Sequence, residues 1–192
     1  MLRQIATASP HVGGRAATSA CLAAAWALHL KLASDDTTEA HRMQPLPHFY
    51  SVRALAKPEG NVRIGARDLP AVLSAPPKEF DGPGDQWSPE ELFLASVVDC
   101  FALTFRAVAS ASGLGWAQLS AGAEGILDRV DRTTRFTEIV IHVALTLEDP
   151  ARDEARARRV LEKSEANCPV SRSLAVPVQL DIELVGLVAG TE

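Results

Sequence analysis

Cysteine is scarce in this chain, with three residues among 192: Cys21, Cys100 and Cys168. No two of them form a Cys-x-x-Cys pair, and no Cys/His spacing suits a zinc finger. So few cysteines in a chain of this length argue against a secreted disulfide scaffold. Those present then matter through reactivity or burial. The five histidines are scattered singly, without a His-x-x-x-His pair, so neither a metal site nor a cofactor is expected. Basic charge is short as well: 19 Lys and Arg against 24 Asp and Glu leave a formal net charge of −5. That balance lacks the electrostatic footprint of nucleic-acid binding. The arginines around 152–159 are interleaved with Asp153 and Glu154 and read as a solvated helix face. There is no Gly-rich nucleotide loop and no internal repeat. The largely apolar stretch from Ala16 to Leu32 is interrupted by His29 and Lys31, and it is short for a membrane span.

Apolar residues make up 47% of the chain, enough for a core, and the length suits one domain with an appendage. Residues 1–47 read as an N-terminal extension, poorly ordered or partly helical. Arg3 and Arg15 before the apolar run resemble a signal peptide weakly, but no small-x-small cleavage site precedes Ser34-Asp35-Asp36. Met43 is a candidate natural start, and Cys21 is assigned no role. The patterned domain is expected over 48–187, followed by a tail at 188–192.

Within that domain, alternation over His48–Ala56 predicts a strand, and Pro58-Glu59-Gly60-Asn61 a turn. Val62 and Ile64 alternate with Arg63 and Gly65 as the second arm of a hairpin, and Ala71-Val72-Leu73 is a short third strand. Residues 76–87 form a Pro- and Gly-bearing loop. Ser88-Pro89-Glu90-Glu91 is a strong helix start: a capping serine, proline at the first helical position, and a glutamate completing a capping box. The helix runs to about Ser112 and stops at Gly113. Being apolar nearly all round, it must be buried or shared with a partner. Cys100 lies on its stripe with Phe93, Val97, Thr104 and Ala107.

Trp116–Val130 and Arg135–Glu148 read as a long hairpin joined by Asp131–Thr134, with Ile139, Ile141, Val143, Leu145 and Leu147 forming one face. Asp149-Pro150 opens a second helix whose inner stripe is Ala157, Leu161, Ser164 and Cys168. Pro169 stops it. Val176–Val185 is the last strand. The expectation is an α+β protein with N-terminal antiparallel strands, a buried Cys-bearing helix, a β-hairpin, a second helix and a final strand.

A lone cysteine on an apolar helix is ordinarily an inert buried thiol. Cys168 differs, because a helix end before proline rearranges more easily than a helix centre. The wider pattern is Ser-Pro-Glu-Glu-Leu-Phe at 88–93, Cys100 in an apolar helix, Asn167-Cys168-Pro169-Val170-Ser171, and then Ser173-Leu174. Over about residues 48–185 it resembles the OsmC/Ohr family. The resemblance implies an intertwined homodimer with sites at its interface, and a thiol peroxidase acting on organic hydroperoxides or hydrogen peroxide. Cys100 matches the cysteine that is oxidised to a sulfenic acid, and Cys168 the one that closes a Cys100–Cys168 disulfide. An external dithiol reductant, a lipoylated protein or another small thiol, must then reopen that disulfide. Glu90 matches the glutamate that orients an activating arginine in the family. The arginine itself does not carry over cleanly: Arg53, Arg63 and Arg67 are candidates, with Arg63 preferred. The missing match keeps two alternatives open, a non-catalytic OsmC-like protein that binds a small molecule or serves in stress, and a thiol redox sensor. A cytoplasmic location, with no membrane and no nucleic acid as partner, completes the expectation.

Overall fold

The computed structural model describes residues 44–187. Most of the expected extension and the 188–192 tail therefore lie outside the described residues. Every element below lies within Ser51–Glu192.

Three short strands come first: β1 (Arg53–Leu55), β2 (Val62–Gly65) and β3 (Val72–Ser74), an antiparallel meander in the order β1-β2-β3. The strand expected over 48–56 is cut to three residues, because pairing with β2 runs only from Arg53↔Gly65 to Leu55↔Arg63. All of β1 is solvent-exposed, as are Val72 and Leu73 of β3. A 3-10 turn at Lys78–Phe80 interrupts the following loop, and Ser74 bridges to Trp87 at its far end.

The first helix, α1 (Pro89–Ser112), begins as the sequence dictates. Ser88 Oγ accepts from the Glu91 amide at 3.1 Å, and the Ser88 amide donates to Glu91 Oε2 at 2.7 Å. It ends on Gly113 in the left-handed region at φ 60°, where only glycine avoids a Cβ penalty. Strands β4 (Trp116–Val130) and β5 (Thr133–Leu147) form one long antiparallel hairpin. The hairpin turns on two residues, Asp131 at φ 51° and Arg132 at φ 66°. Two consecutive positive φ values are the requirement of a type I′ turn, which matches the strand twist. The sequence pattern alone predicted a longer loop, because arginine is a poor residue for that conformation.

Helix α2 (Pro150–Asn167) is capped by Asp149, whose carboxylate accepts from the Arg152 amide at 3.2 Å. After a break at Cys168 the chain resumes as the short helix α3 (Pro169–Arg172) and then β6 (Val178–Gly186). β6 lies parallel to β5, so the second sheet has the order β4-β5-β6. The architecture is α+β, with helices on one face of that sheet.

The core is the seam between sheet and helices. Ile139, Ile141, Val143, Leu145 and Leu147 alternate along β5 and face Val97, Phe101, Phe105 and Ala109 of α1, and all of them are buried. Full burial of each large side chain stabilises by roughly 1.5–3 kcal/mol. Phe105 meets Trp116 edge-on at 5.1 Å, and Phe93 stacks on Phe136 at 4.9 Å. A Cβ at Gly125 would collide with that Phe136 ring, so β4 needs glycine there. At the start of α2 the buried Asp153 carboxylate is held by Arg152 at 2.6 Å and Arg156 at 3.4 Å, and Arg156 also donates to the Gly113 carbonyl. The expected stripe of α1 is displaced: the buried residues are spaced by four from Val97 to Ala109, and Cys100 lies at the edge of that stripe.

Two stability predictions follow from this geometry. Replacing Arg132 with glycine relieves a left-handed arginine and is expected to stabilise by about 1 kcal/mol, measured as a urea midpoint shift at constant slope. On the outer sheet face, His142 Nδ1 contacts Asp181 Oδ2 at 3.0 Å, and Glu124 Oε2 lies 3.5 Å from Nε2. The Asp181 hydrogen bond, aided by the Glu124 charge, raises the His142 pKa above the ordinary imidazole value. A raised folded-state pKa contributes stability that is complete below the unfolded value and is lost as pH rises through the folded one. Stability should therefore decline on going from pH 6 upward through the raised His142 pKa, and His142→Gln should flatten that slope.

Candidate thiol site

Cys100 sits midway along α1, half-buried, just beside the core stripe. Cys168 is completely buried, at 0% exposure. Its position follows from the residue after it. Proline has no amide hydrogen and forbids helical backbone in the residue before it. Cys168 accordingly leaves the helix, at φ −67° and ψ 114°, ending α2 and starting α3 in one residue. Pro169 was expected to stop the helix. It also restarts one, and α3 packs against α1.

Across that contact Cys168 is near enough to act on the Cys100 thiol. Burial raises the Cys100 pKa above the ordinary thiol range, and the hydrogen bond with the Cys168 thiol raises it further. The Val170 backbone and the Thr104 hydroxyl pull the same pKa the other way. Pro169 lacks an N–H, so Val170 carries the first free amide of α3. The arrangement pairs a partly accessible thiol with a sheltered one, the geometry in which an oxidised first sulfur is captured by the second.

Glu90 and Arg63 are not part of this cluster. Glu90 lies in the first turn of α1, and ten helical residues span about 15 Å. Its Oε2 is buried without a hydrogen-bond partner, at an apolar cavity of about 320 Å³ that Val62, Pro77 and Phe80 also line. Arg63 is exposed on β2, opposite Leu55 and Leu73. Val62 lines the cavity, and the neighbouring side chain on a strand points to the other face. That alternation turns Arg63 away from Glu90. Among the described residues no arginine is found among the groups acting on Cys100. No cluster of three or more metal-ligating side chains occurs among them either.

Two contributors were not singled out from sequence. Spacing places Thr104 one turn after Cys100, but a threonine on an apolar stripe reads as filler. The Val170 amide carries no sequence signal at all.

Residues 82–183, just over half of the chain, match the family model described as OsmC-like protein. The uncharacterised protein YmaD of Bacillus subtilis is 31% identical over 109 residues, covering 56% of this chain and 73% of that one. Peroxiredoxin OsmC of Escherichia coli is 28% identical over 97 residues, covering 50% of this chain and 66% of that protein. An OsmC-like protein of unknown function from Vibrio cholerae superposes with a TM-score of 0.66 at 16% identity, over 71% of this chain and 99% of that one. An organic hydroperoxide resistance protein from Legionella pneumophila gives a TM-score of 0.56 at 22% identity, over 73% and 99%. At such identities the two structures speak for the fold alone. With its Cys100 helix, its Cys-Pro junction and a family match spanning both, the chain belongs to the OsmC/Ohr family.

Proposed function

We propose that this protein is a thiol-dependent peroxidase that reduces organic hydroperoxides or hydrogen peroxide in the cytoplasm. The contact between a half-buried Cys100 and a fully buried Cys168 carries the reading. The Cys100 thiolate attacks one peroxide oxygen. The O–O bond breaks, the sulfur takes up that oxygen, and the other oxygen leaves as an alcohol or water after protonation. The Cys168 thiol then attacks the Cys100 sulfenic acid, forming the disulfide and releasing water. An external dithiol takes the two oxidising equivalents and restores both thiols. Residues of the Phe93–Phe105 stretch make the surroundings of Cys100 apolar, which favours organic substrates.

A thiol raised by burial needs a positive charge, and none acts on Cys100 among the described residues. The described residues leave much apolar surface uncovered. Leu103 of α1 is 53% exposed, Leu55 and Leu69 are 66% exposed, and β4 is a fifteen-residue strand with one free edge. Mean hydropathy over an 18-residue window of α1 is 1.8, yet only 22% of that window is buried. A small sheet so thinly covered is marginal by itself. A second copy of this chain would cover these surfaces and complete the site at its interface. It would also bring a guanidinium to Cys100, with Arg63 the first candidate.

The absence of an arginine at Cys100 among the described residues favours a second reading, a sensor that forms the disulfide without efficient turnover. One assay separates the two: peroxide consumption driven by a dithiol, for wild type, Cys100→Ser and Cys168→Ser. The peroxidase reading expects turnover that is abolished in Cys100→Ser and stalls after one equivalent in Cys168→Ser. Rapid disulfide formation with negligible consumption would identify the sensor, and no thiol oxidation at all would remove both. For the assembly, sedimentation is expected to give a dimer at micromolar concentration, and Leu103→Glu to shift it toward monomer with slower consumption. A monomeric wild type would overturn the interface.

A further inference from the structure

The two thiols differ in how far solvent reaches them. Cys100 is partly exposed on α1, whereas Cys168 is completely buried at the turn from α2 into α3. A helix end before proline ordinarily rearranges easily, but this one is tied on both sides. The Cys168 amide donates to the Glu165 carbonyl at 3.0 Å, and the Cys168 carbonyl accepts from the Arg172 amide at 3.0 Å. Further bonds brace the flanks: the Arg172 guanidinium donates to the Ala166 carbonyl at 3.1 Å, and the Ser173 hydroxyl to the Pro169 carbonyl at 2.8 Å. Bringing Cys168 to the surface means breaking such bonds and lifting α3 off α1.

Thiol–disulfide exchange requires an incoming thiolate to reach one of the two sulfurs from the side away from the other, and access decides which. A completely buried sulfur offers no such approach. We infer that the external dithiol opens the Cys100–Cys168 disulfide by attacking the Cys100 sulfur, with Cys168 as the leaving group. The inference rests on the reading of the pair as a disulfide formed by peroxide, and it assigns the direction in which that disulfide is reopened. The reductant's thiolate forms a new S–S bond with Cys100. The Cys100–Cys168 bond breaks, and Cys168 leaves with its electron pair and takes up the proton that the reductant lost. The second thiol of the same reductant then attacks its partner sulfur in the mixed disulfide. That step closes the reductant's own disulfide and frees Cys100. Peroxide and reductant therefore share one entrance, and Cys168 meets neither.

The test takes the full chain, oxidises it with one equivalent of cumene hydroperoxide and exposes it briefly to 2-mercaptoethanol, a monothiol with no second sulfur to release the adduct. Acid quenching, blocking of free thiols with N-ethylmaleimide and peptide mass spectrometry then locate the adduct, apart from Cys21. It is expected on Cys100 in about tenfold excess over Cys168 or more. An adduct shared equally, or mainly on Cys168, would overturn the inference. In urea, where burial is lost, the excess should vanish; an excess that persists there is intrinsic reactivity and also overturns it. Where ring closure removes the adduct too quickly, the single variants decide. Native Cys168→Ser, which keeps Cys100, should exchange with an aromatic disulfide about tenfold faster than native Cys100→Ser, which keeps Cys168, and equal rates refute the assignment. If peroxide leaves both thiols reduced, the peroxidase reading fails, and a disulfide made with diamide carries the same test. A pair that neither oxidant joins removes both.

Discussion

The seam where α1 lies on β5 is the contact on which the rest of the structure depends. Four α1 side chains from Val97 to Ala109 fill the spaces between five alternating β5 side chains from Ile139 to Leu147, and all are buried. That packing fixes the rotation of α1 about its own axis. Once the rotation is fixed, Cys100 must fall one step off the buried stripe, near enough to the core to feel burial and near enough to the surface to be reached. A rotation toward the core would bury the sulfur as an inert thiol. A rotation away from it would lose the contact with Cys168.

The second thiol is brought to that position by backbone rules more than by side-chain packing. Proline after Cys168 ends one helix and starts another, and the bend turns α3 onto α1. The bend also leaves the Val170 amide without a helical acceptor, and the Val170 backbone works to lower the Cys100 pKa. Burial and the neighbouring thiol oppose ionisation of Cys100 while the two donors favour it. The balance stands on the protonated side in the protomer, which makes the thinly covered β1–β3 sheet and the bare face of α1 more than incidental. Among the described residues the uncovered surfaces and the sulfur without a cation occur together, and the proposed second copy answers both.

Glu90 shows the limit of reasoning by position. It satisfies the geometry of a helix start, where a carboxylate is favoured by the exposed amides, yet its Oε2 is buried with no partner. An unpaired buried carboxylate oxygen is costly. The apolar cavity in front of it, lined by Val62 from the neighbouring strand, is where a donor would have to arrive.

Much of the fold was readable from the chain because it rests on local rules. The capping box at Ser88–Glu91, the stop at Gly113, the alternating face of β5 and the break at Cys168-Pro169 each follow from a few neighbouring residues, and each stands in the structure. Where local signals were weak, pattern reading erred: β1 is shorter than its alternation, the hairpin turn is tighter than its residues prefer, and the buried stripe of α1 is offset. An all-round apolar helix does not announce which face is inward, since only the partner surface decides that. The sequence by itself determined the elements, their order and the two thiols. Tertiary structure alone decided that the elements bearing those thiols pack together and that Arg63 does not join them. Residues 68 positions apart meet only through the packing of separate elements, and strand alternation turns a side chain toward or away from a site only once the register is set.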